Sequence, residues 1–287
     1  MILVVDSGST KTDWIAVDSA GNTLFSTQTL GLNPQVLSSA ILKERVINNF
    51  ELSQNRKKVT HLFFYGAGCG VKSPQERIVK VFEEIFTEAI LTVKEDTYAA
   101  VYAASTPNEK SIVCILGTGS NCTYFDGQHI EQRVTSLGYI LMDEASGNFF
   151  GKQLIRSYYF NIMPKKLALL FEKEYDLSPD TIKENIYRRE NPNTYLATFS
   201  KFLIQHKNDP VFQDIIAKGL ERFINHQILQ FDNAKEVPIH FIGSISFYLK
   251  DEIEKALKIK GLRMGKIVQR PIEELVKYHK SKIEIGA

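Results

Sequence analysis

The stretch Asp6-Ser7-Gly8-Ser9-Thr10-Lys11-Thr12 follows the apolar run Ile2-Leu3-Val4-Val5 near the start of this 287-residue chain. Two further apolar runs, residues 14–17 and 23–27, come after it, and residues 18–22 between them are typical of a turn. β-Branched and apolar runs interrupted by Gly, Asn and Asp predict antiparallel strands joined by tight turns. The stretch 6–12 is therefore predicted to be a small-residue turn at the end of a buried strand.

The residues of this turn suit the binding of a phosphate group. Gly8 lets a ligand approach the backbone because it has no Cβ, and the turn offers N–H donors. Its hydroxyl groups are those of Ser7, Ser9, Thr10 and Thr12. Asp6, at the strand end, is a candidate to hold a hydrated Mg²⁺, whereas Lys11 either adds positive charge or faces solvent. Considered alone, the stretch is equally well explained as an ordinary hairpin with polar turn residues.

The same pattern occurs a second time in the middle of the chain. The apolar run 111–116 leads into Gly117-Thr118-Gly119-Ser120-Asn121, and two further predicted strands follow at 122–125 and 128–134. Asp126-Gly127 between them is a strong hairpin signal. Both halves thus open with a strand, a small-residue turn and two more strands, which is a weak internal repeat.

Composition and charge narrow the classes of function. Hydrophobic residues make up 44% of the chain, enough for folded cores, and predicted strands alternate with predicted helices as in α/β proteins. With 35 basic and 33 acidic residues the net charge is +2, which argues against nucleic acid as a partner. The apolar runs are too short to span a membrane. The scattered Cys69, Cys114 and Cys122 fit a reducing cytoplasm better than a disulfide framework.

Asp96 lies just past the predicted strand 89–93 and before the Ala-rich predicted helix 97–104. Active-site residues of α/β sheets usually lie at strand ends, and phosphoryl transfer to an alcohol needs a carboxylate near the attacking hydroxyl. Glu95 is the neighbouring alternative, but adjacent side chains point in different directions and Asp96 is preferred. Capping the following helix is a second role that Asp96 could combine with the first.

Taken in order, these features resemble those of a known group of enzymes. The turn 6–12 resembles the first phosphate loop of the actin/sugar-kinase/Hsp70 ATPase superfamily. The turn 117–121, with Cys122 after it, is similar to the second phosphate loop of the N-acetylglucosamine kinase-like family, which is grouped with the benzoyl-CoA-reductase-type activating ATPases. The resemblance implies an α/β fold of two ribonuclease-H-like (actin-like ATPase) domains around a central nucleotide cleft. The implied domains are residues 1–108, with a final helix near 273–287 packing on them, and residues 109–272 with helical additions.

The resemblance also assigns roles to single residues. The implied ATP-binding residues are Asp6, Gly8, Ser9, Thr10, Lys11, Gly117, Thr118, Gly243 and Ser244. The implied sugar-binding residues are Asn33, Asp96, Ser120, Asn121, Gly138, Asp143 and Glu144. Asp96 would be the catalytic base, and Asp6 would hold Mg²⁺ through water. Met142 and Ala145 replace two glycines of the family's loop around Asp143 and Glu144.

The function that this resemblance implies is ATP-dependent phosphorylation of an amino sugar, with N-acetylglucosamine as the expected acceptor and its 6-phosphate as the expected product, and with ATP and Mg²⁺ as cofactors. Glucosamine and N-acetylmuramic acid remain alternative acceptors. An activating ATPase of the 2-hydroxyacyl-CoA dehydratase/benzoyl-CoA reductase type is disfavoured because the cysteines lack the pairing that would hold its iron–sulfur cluster. A sugar sensor on the same fold would usually carry an added DNA-binding segment. The sequence leaves the oligomeric state open, a homodimer included.

Overall fold

The computed structural model describes residues 1–8, 10–106 and 108–285. The strands in chain order are β1 (Ile2–Ser7), β2 (Lys11–Val17), β3 (Thr23–Leu30), β4 (His61–Gly66), β5 (Ile90–Glu95), β6 (Ser111–Leu116), β7 (Ser120–Phe125), β8 (Ile130–Glu131), β9 (Pro238–Ile242) and β10 (Arg263–Val268). The helices are α1 (Ser39–Ile47), α2 (Phe50–Asn55), α3 (Lys72–Ile85), α4 (Asp96–Ala104), α5 (Gly147–Tyr159), α6 (Lys165–Glu174), α7 (Pro179–Tyr187), α8 (Pro192–Thr198), α9 (Ser200–Gln205), α10 (Pro210–His226), α11 (Ser244–Tyr248), α12 (Lys250–Ile259) and α13 (Ile272–Ile285).

These elements form two compact units. Unit 1 comprises Met1–Ala104 and the C-terminal segment that begins at Arg270, and unit 2 comprises Ser105–Gln269. Each unit contains one five-stranded mixed sheet, in the order β3-β2-β1-β4-β5 and β10-β9-β6-β7-β8 respectively. The α/β class with two such sheets confirms the fold class expected from the sequence.

The two sheets have the same topology. In each, three consecutive strands pair antiparallel, and the first of them also pairs parallel with a strand that follows later in the chain. Read from β1 and from β6, the two strand orders are identical. The internal repeat expected from the sequence pattern is therefore present as a repeat of topology.

In unit 1, the period-two alternation of a strand divides β1 between two layers. Leu3 and Val5 face the core that contains Trp14, Phe64 and Phe82. Val4 faces the opposite layer, which includes side chains of β4, α4 and α13. Asp6, two residues after Val4, therefore lies on the face covered by α4 and α13.

The last helix is fixed to unit 1 by buried polar and aromatic contacts. The hydroxyl of Tyr65 on β4 lies 2.9 Å from Nε2 of His279 on α13, and both side chains are buried. The rings of Tyr102 and Tyr278 stack with their centroids 4.3 Å apart. Burial lowers the pKa of His279 to about 4, so its ring is neutral near pH 7.

In unit 2, a large apolar core lies among the helices and against the sheet. Phe150, Phe171, Phe202 and Phe212 are fully buried in it. Helix α5 begins at Ser146, whose hydroxyl accepts the N–H of Phe149 as an N-cap. These contacts fix the start of α5, which also carries groups that hold the turn after β6.

Several elements differ in extent from the pattern-based prediction. The predicted strand 128–134 is shorter in the structure, where β8 comprises Ile130–Glu131; the side-chain amide of Gln132, just after it, donates to Oδ1 of Asn121 at 2.9 Å. The helix predicted from residue 244 divides at Leu249, whose side chain is fully buried. Within the described residues, no helix is long and apolar enough to cross a membrane.

Candidate functional site

The turn after β1 is held by its own polar groups. The Oγ of Ser7 lies 2.7 Å from Oγ1 of Thr12, and it also accepts the N–H of Leu32 at 3.1 Å. Ser7 and Thr12 are fully buried. Their hydroxyls therefore fix the turn and do not face a ligand, in contrast to the expectation that all four turn hydroxyls would. Ser9 lies outside the described residues.

The N–H of Gly8 donates to the carbonyl of Lys11 at 3.0 Å, which closes the turn. A Cβ added to Gly8 would meet nothing closer than that carbonyl at 3.8 Å, so space is open beside this residue. Thr10 is exposed at the tip. The Gly8 N–H is therefore already used within the turn.

Two acidic side chains of the hairpin lie on one face of the sheet. Asp6 and Asp13 are directly opposite each other in the register of β1 and β2. Asp13 was not identified from the sequence, although a four-residue turn between Ser7 and Thr12 would have indicated this register. Both carboxylates lie on the face covered by α4 and α13, and Asp96 is the first residue of α4.

Burial and neighbouring carboxylates raise the pKa values of Asp6 and Asp96. Burial, and then the negative charges of Asp96 and Asp13, raise the pKa of Asp6 to about 7. Burial and the charge of Glu95 raise the pKa of Asp96 to about 7, against the opposing effect of backbone N–H groups at Thr97 and at Asp96 itself. The first turn is thus bordered by carboxylates that are repelled by their neighbours and that a cation would stabilise.

Glu95 and Asp96 have different surroundings, as adjacent residues should. A Cβ on Gly70 would lie 2.7 Å from a carboxylate oxygen of Glu95, and Thr97 donates its hydroxyl to Glu95 at 3.3 Å. Asp96 instead acts electrostatically on Asp6. Of the two acids, Asp96 is the one whose charge affects the pKa of Asp6, at the start of the first turn.

Asn33 lies in the loop between β3 and α1, where its side chain has a structural contact. Its Oδ1 accepts the N–H of Gln35 at 2.9 Å. The side chain packs on Gly68, which has a φ of 82° and where a Cβ would come within 2.1 Å of Oδ1. Oδ1 of Asn33 is thus engaged within the loop and against Gly68.

In unit 2, the turn after β6 is anchored by the start of α5. The N–H of Gly117 donates to the carbonyl of Gly119 at 3.0 Å, and the carbonyl of Gly117 accepts the N–H of Gly147 at 2.8 Å. The carbonyl of Thr118 accepts two bonds from Asn148, from the backbone at 3.0 Å and from the side chain at 2.7 Å. The turn is rigidly held on its carbonyl side.

Asp143 fastens the same turn from the other side. Its carboxylate accepts the N–H of Ser120 at 3.3 Å and the amide of Asn148 at 2.8 Å. A Cβ on Gly119 would lie 2.9 Å from the carboxylate, so glycine permits this approach. Asp143 is buried, and burial raises its pKa while the Asn148 and Ser120 bonds oppose the rise. Asn148 was missed in the sequence because a helical asparagine carries no signal of its own.

The loop before α5 has an unusual backbone at two residues that are not glycine. Asp143 and Ala145 have φ values of 72° and 58°, in the left-handed region that costs non-glycine residues energy. Gly138, with φ of 80°, has open space around it. Glu144 lies half-buried between Asp143 and Ala145. Ala145 therefore keeps a glycine-like conformation that the sequence alone left in doubt.

The other predicted residues of unit 2 lie around this turn. Gly243, at the end of β9, has a φ of 115°, and a Cβ there would come within 2.4 Å of the Leu116 carbonyl. Only glycine permits that approach between the end of β9 and the end of β6. Ser244 follows as an exposed residue at the start of α11. The Oδ1 of Asn121 accepts its neighbour's N–H, from Cys122, at 2.8 Å.

Among the described residues, the acidic side chains beside the first turn do not form a metal site made of protein ligands alone. Over residues 1–8, 10–106 and 108–285, no three His, Cys, Asp or Glu side chains are placed as ligands of one metal ion. Mg²⁺ in phosphoryl-transfer sites commonly needs only one or two carboxylates, with water and substrate phosphates supplying the rest. Asp6, with its repelled charge, fits such a role.

No family model matches the chain, and no curated protein matches it. Among solved structures it is similar to a Porphyromonas gingivalis protein named "putative N-acetylglucosamine kinase", with 34% identity and a TM-score of 0.90 over 98% of this chain and 99% of that one. A Chromobacterium violaceum protein of the same description has 16% identity and a TM-score of 0.70, over 96% and 98% of the two chains.

A third similar structure is the ROK family glucokinase of Streptomyces griseus, solved with glucose and AMPPNP. It shares 14% identity with this chain, with a TM-score of 0.58 over 96% of this chain and 97% of that one. At these low identities the second and third similarities concern the fold alone. The first extends to the sequence over nearly the whole length of both chains.

Proposed function

The chain belongs to the N-acetylglucosamine kinase-like family of ATP-dependent sugar kinases, and from that premise we propose that it phosphorylates N-acetylglucosamine at the 6-hydroxyl. The observation that carries the proposal is the grouping of Asp6 and Asp96 beside the first turn, each with a pKa raised to about 7. A carboxylate with a raised pKa and a turn that suits phosphate are the parts that phosphoryl transfer to an alcohol needs.

Asp96 is the catalytic base in this proposal. A general base works best when its pKa is near the operating pH, and burial brings the pKa of Asp96 to that range. It would orient the sugar hydroxyl and accept its proton as the phosphoryl group is transferred. Glu95 is the less suitable acid because it packs against Gly70 and accepts from Thr97.

The two small-residue turns bind the phosphates of ATP. The N–H groups of Gly8 and Gly117 close their own turns, so other N–H and hydroxyl groups of the turns would serve as the donors toward phosphate. Donors held in place before the reaction stabilise developing charge without reorganisation. Mg²⁺, held by Asp6 through water, would neutralise charge on the β- and γ-phosphates.

The sugar contacts divide between direct and supporting residues. Asn33 offers its amide nitrogen, and Ser120 and Asn121 are half-buried at the second turn. Asp143 is better placed to support this turn than to bind a hydroxyl, because its carboxylate already accepts bonds from Ser120 and Asn148. Glu144 remains the acidic candidate for a sugar contact in this loop.

The alternative of an activating ATPase receives no support from the cysteines. Cys114 and Cys122 face each other across β6 and β7 with their sulfur atoms 3.6 Å apart, and both are buried in the unit 2 core. Cys69 is buried in the unit 1 core. A cluster held between subunits needs thiolates at a surface, and these thiols are inside.

A coupled ATP-consumption assay over a panel of hexoses and amino sugars tests the proposal. We expect the highest kcat/KM with N-acetylglucosamine, and lower values with glucosamine and N-acetylmuramic acid. Mass spectrometry and NMR of the product would place the phosphate on O6. ATP consumption that is unaffected by every sugar, from protein that binds ATP, would overturn the assignment as a sugar kinase.

A further inference from the structure

Arg270 forms an ion pair with Asp13 beside the first turn. Its Nη2 donates to Oδ1 of Asp13 at 2.6 Å. Asp13 is buried, whereas the Arg270 side chain is 46% exposed. The two residues are 257 positions apart in the sequence, and Arg270 is the first residue of the segment that returns to unit 1.

Asp13 holds more than one positively charged or donating group. Gln28 donates to the same oxygen at 2.6 Å, and the ammonium of Lys11 lies 3.1 Å from the other oxygen. Because Asp6 and Asp13 are opposite each other in the sheet register, these groups stand next to the strand end at which the phosphate turn begins. The positive charge of Arg270 is felt at Asp6.

We propose that Arg270 contacts the phosphates of the bound nucleotide and that Asp13 is its positioning residue. A guanidinium carries five N–H donors in a planar fork, so one bond to Asp13 leaves donors for phosphate oxygens. Asp13 fixes one side of the fork, and the exposed remainder is oriented before the ligand arrives. The proposal rests on the proposed function only in taking ATP as the nucleotide.

A purely structural role for the pair is the competing explanation. In that case, Arg270 would serve to fasten the returning segment to the sheet, and removing its charge would lower stability without regard to phosphate. The two roles differ in one measurable respect. If Arg270 contacts phosphate, its loss lowers the affinity for ADP but not the affinity for adenosine, which has no phosphate. If Arg270 only fastens the returning segment, its loss does not distinguish the two ligands.

Isothermal titration of the full chain with ADP and with adenosine, in the presence of Mg²⁺ and without sugar, tests the first part. Arg270→Gln should weaken ADP binding about 10–100-fold, as expected for lost charge-assisted hydrogen bonds, and leave adenosine binding unchanged. Arg270→Lys should restore part of the ADP affinity. Lys207→Gln, which breaks the half-buried Lys207–Glu252 pair of unit 2, should leave both affinities unchanged.

Unchanged ADP affinity in Arg270→Gln, or an equal loss for ADP and adenosine, would overturn the proposal. The experiment uses no sugar, so it is independent of the acceptor. A wild-type protein that binds ADP but phosphorylates no sugar would refute the proposed function and leave the Arg270 result standing.

A double-mutant cycle tests the role of Asp13. If Asp13 acts by holding Arg270, Asp13→Asn should weaken ADP binding in the wild-type background but not in Arg270→Gln, where only the loss of a nearby negative charge remains. The same change in ADP affinity in both backgrounds would overturn the positioning role. Tighter ADP binding in the wild-type background would do so as well, because Asp13 would then act by repulsion alone.

Discussion

The turns after β1 and after β6 occupy equivalent places in two sheets of the same topology, yet the carboxylates beside them have different partners. The first is bordered by Asp6 and Asp96, whose pKa values are raised by burial and by neighbouring carboxylates: Asp96 and Asp13 act on Asp6, and Glu95 acts on Asp96. The second has one buried carboxylate, Asp143, and it accepts hydrogen bonds from Ser120 and Asn148. In unit 1, neighbouring carboxylates repel one another and would be stabilised by a cation. In unit 2, the carboxylate of Asp143 accepts hydrogen bonds that hold the second turn in place.

This difference indicates that the two units, which share one topology, have different roles. Crowded carboxylates destabilise a ligand-free fold, and such groups are retained where a reaction uses them. Fully bonded carboxylates rigidify a turn and so keep its donors in position. The proposed chemistry should therefore depend on charge in unit 1, and the geometry of the second turn should depend on hydrogen bonds in unit 2.

The largest expected effect is on catalysis in unit 1. Asp96→Asn removes the proposed base with almost no change in size, and kcat should fall by about 10²–10⁴. ADP affinity should stay within a few-fold of wild type. Glu95→Gln is the matched control and should keep most of the activity. Steady-state kinetics with N-acetylglucosamine and ATP check both variants, and an Asp96→Asn protein with more than half of wild-type activity would exclude Asp96 as the base.

The next effect in size is on the stability of unit 2. Asp143→Ala removes the acceptor of the Ser120 N–H and one of the two acceptors of the Asn148 amide, which keeps its bond to the Thr118 carbonyl. It should lower the free energy of unfolding by about 1–3 kcal/mol. Asp126→Ala is the matched control, because that aspartate also accepts two backbone N–H groups but in an exposed turn. Urea unfolding of the three proteins measures the losses. A loss for Asp126→Ala as large as that for Asp143→Ala would contradict the argument from burial.

Asp96→Asn should raise stability, in contrast to Asp143→Ala, and only at a pH where the wild-type carboxyl group is destabilising. The pKa of Asp96 is about 7 in the fold and near 3.8 when unfolded, so the folded state retains a proton that the unfolded state releases. Stability is therefore lost as pH rises from about 4 to about 7. The asparagine variant escapes this loss, and its Tm should exceed that of wild type by about 2–5 °C at pH 8.

That gain should disappear near pH 4.5, where wild-type Asp96 is protonated. Calorimetry in the presence of a chelator, so that no divalent cation balances the charge, measures the difference at both pH values. An equal Tm difference at pH 4.5 and pH 8 would mean that the effect does not come from titration of this carboxyl group.

Part of the fold and of the candidate site could be predicted from the sequence, and part could not. The two turns, Asp96 at its strand end and the repeated strand pattern follow from local periodicity and from small residues after apolar runs. The Asp13–Arg270 pair could not be predicted, because it joins residues 257 positions apart through the path of the returning segment. The supporting role of Asp143 depends on where the N–H of Ser120 points, which is fixed by the pairing of β6 with β7 and by the start of α5.

The smallest expected effect concerns Asn33, where one side chain combines a turn contact with a proposed sugar contact. Asn33→Asp keeps an oxygen for the N–H of Gln35 but loses the amide donor, whereas Asn33→Ala loses both. If the amide binds a sugar hydroxyl, Asn33→Asp should raise the KM for the sugar about 2–12-fold, the equivalent of one neutral hydrogen bond, with unchanged KM for ATP and unchanged Tm. Asn33→Ala should raise the same KM and also lower the Tm. If the sugar KM of Asn33→Asp equals that of wild type, Asn33 is a turn residue only, and the sugar contacts must be sought at Ser120, Asn121 and Glu144.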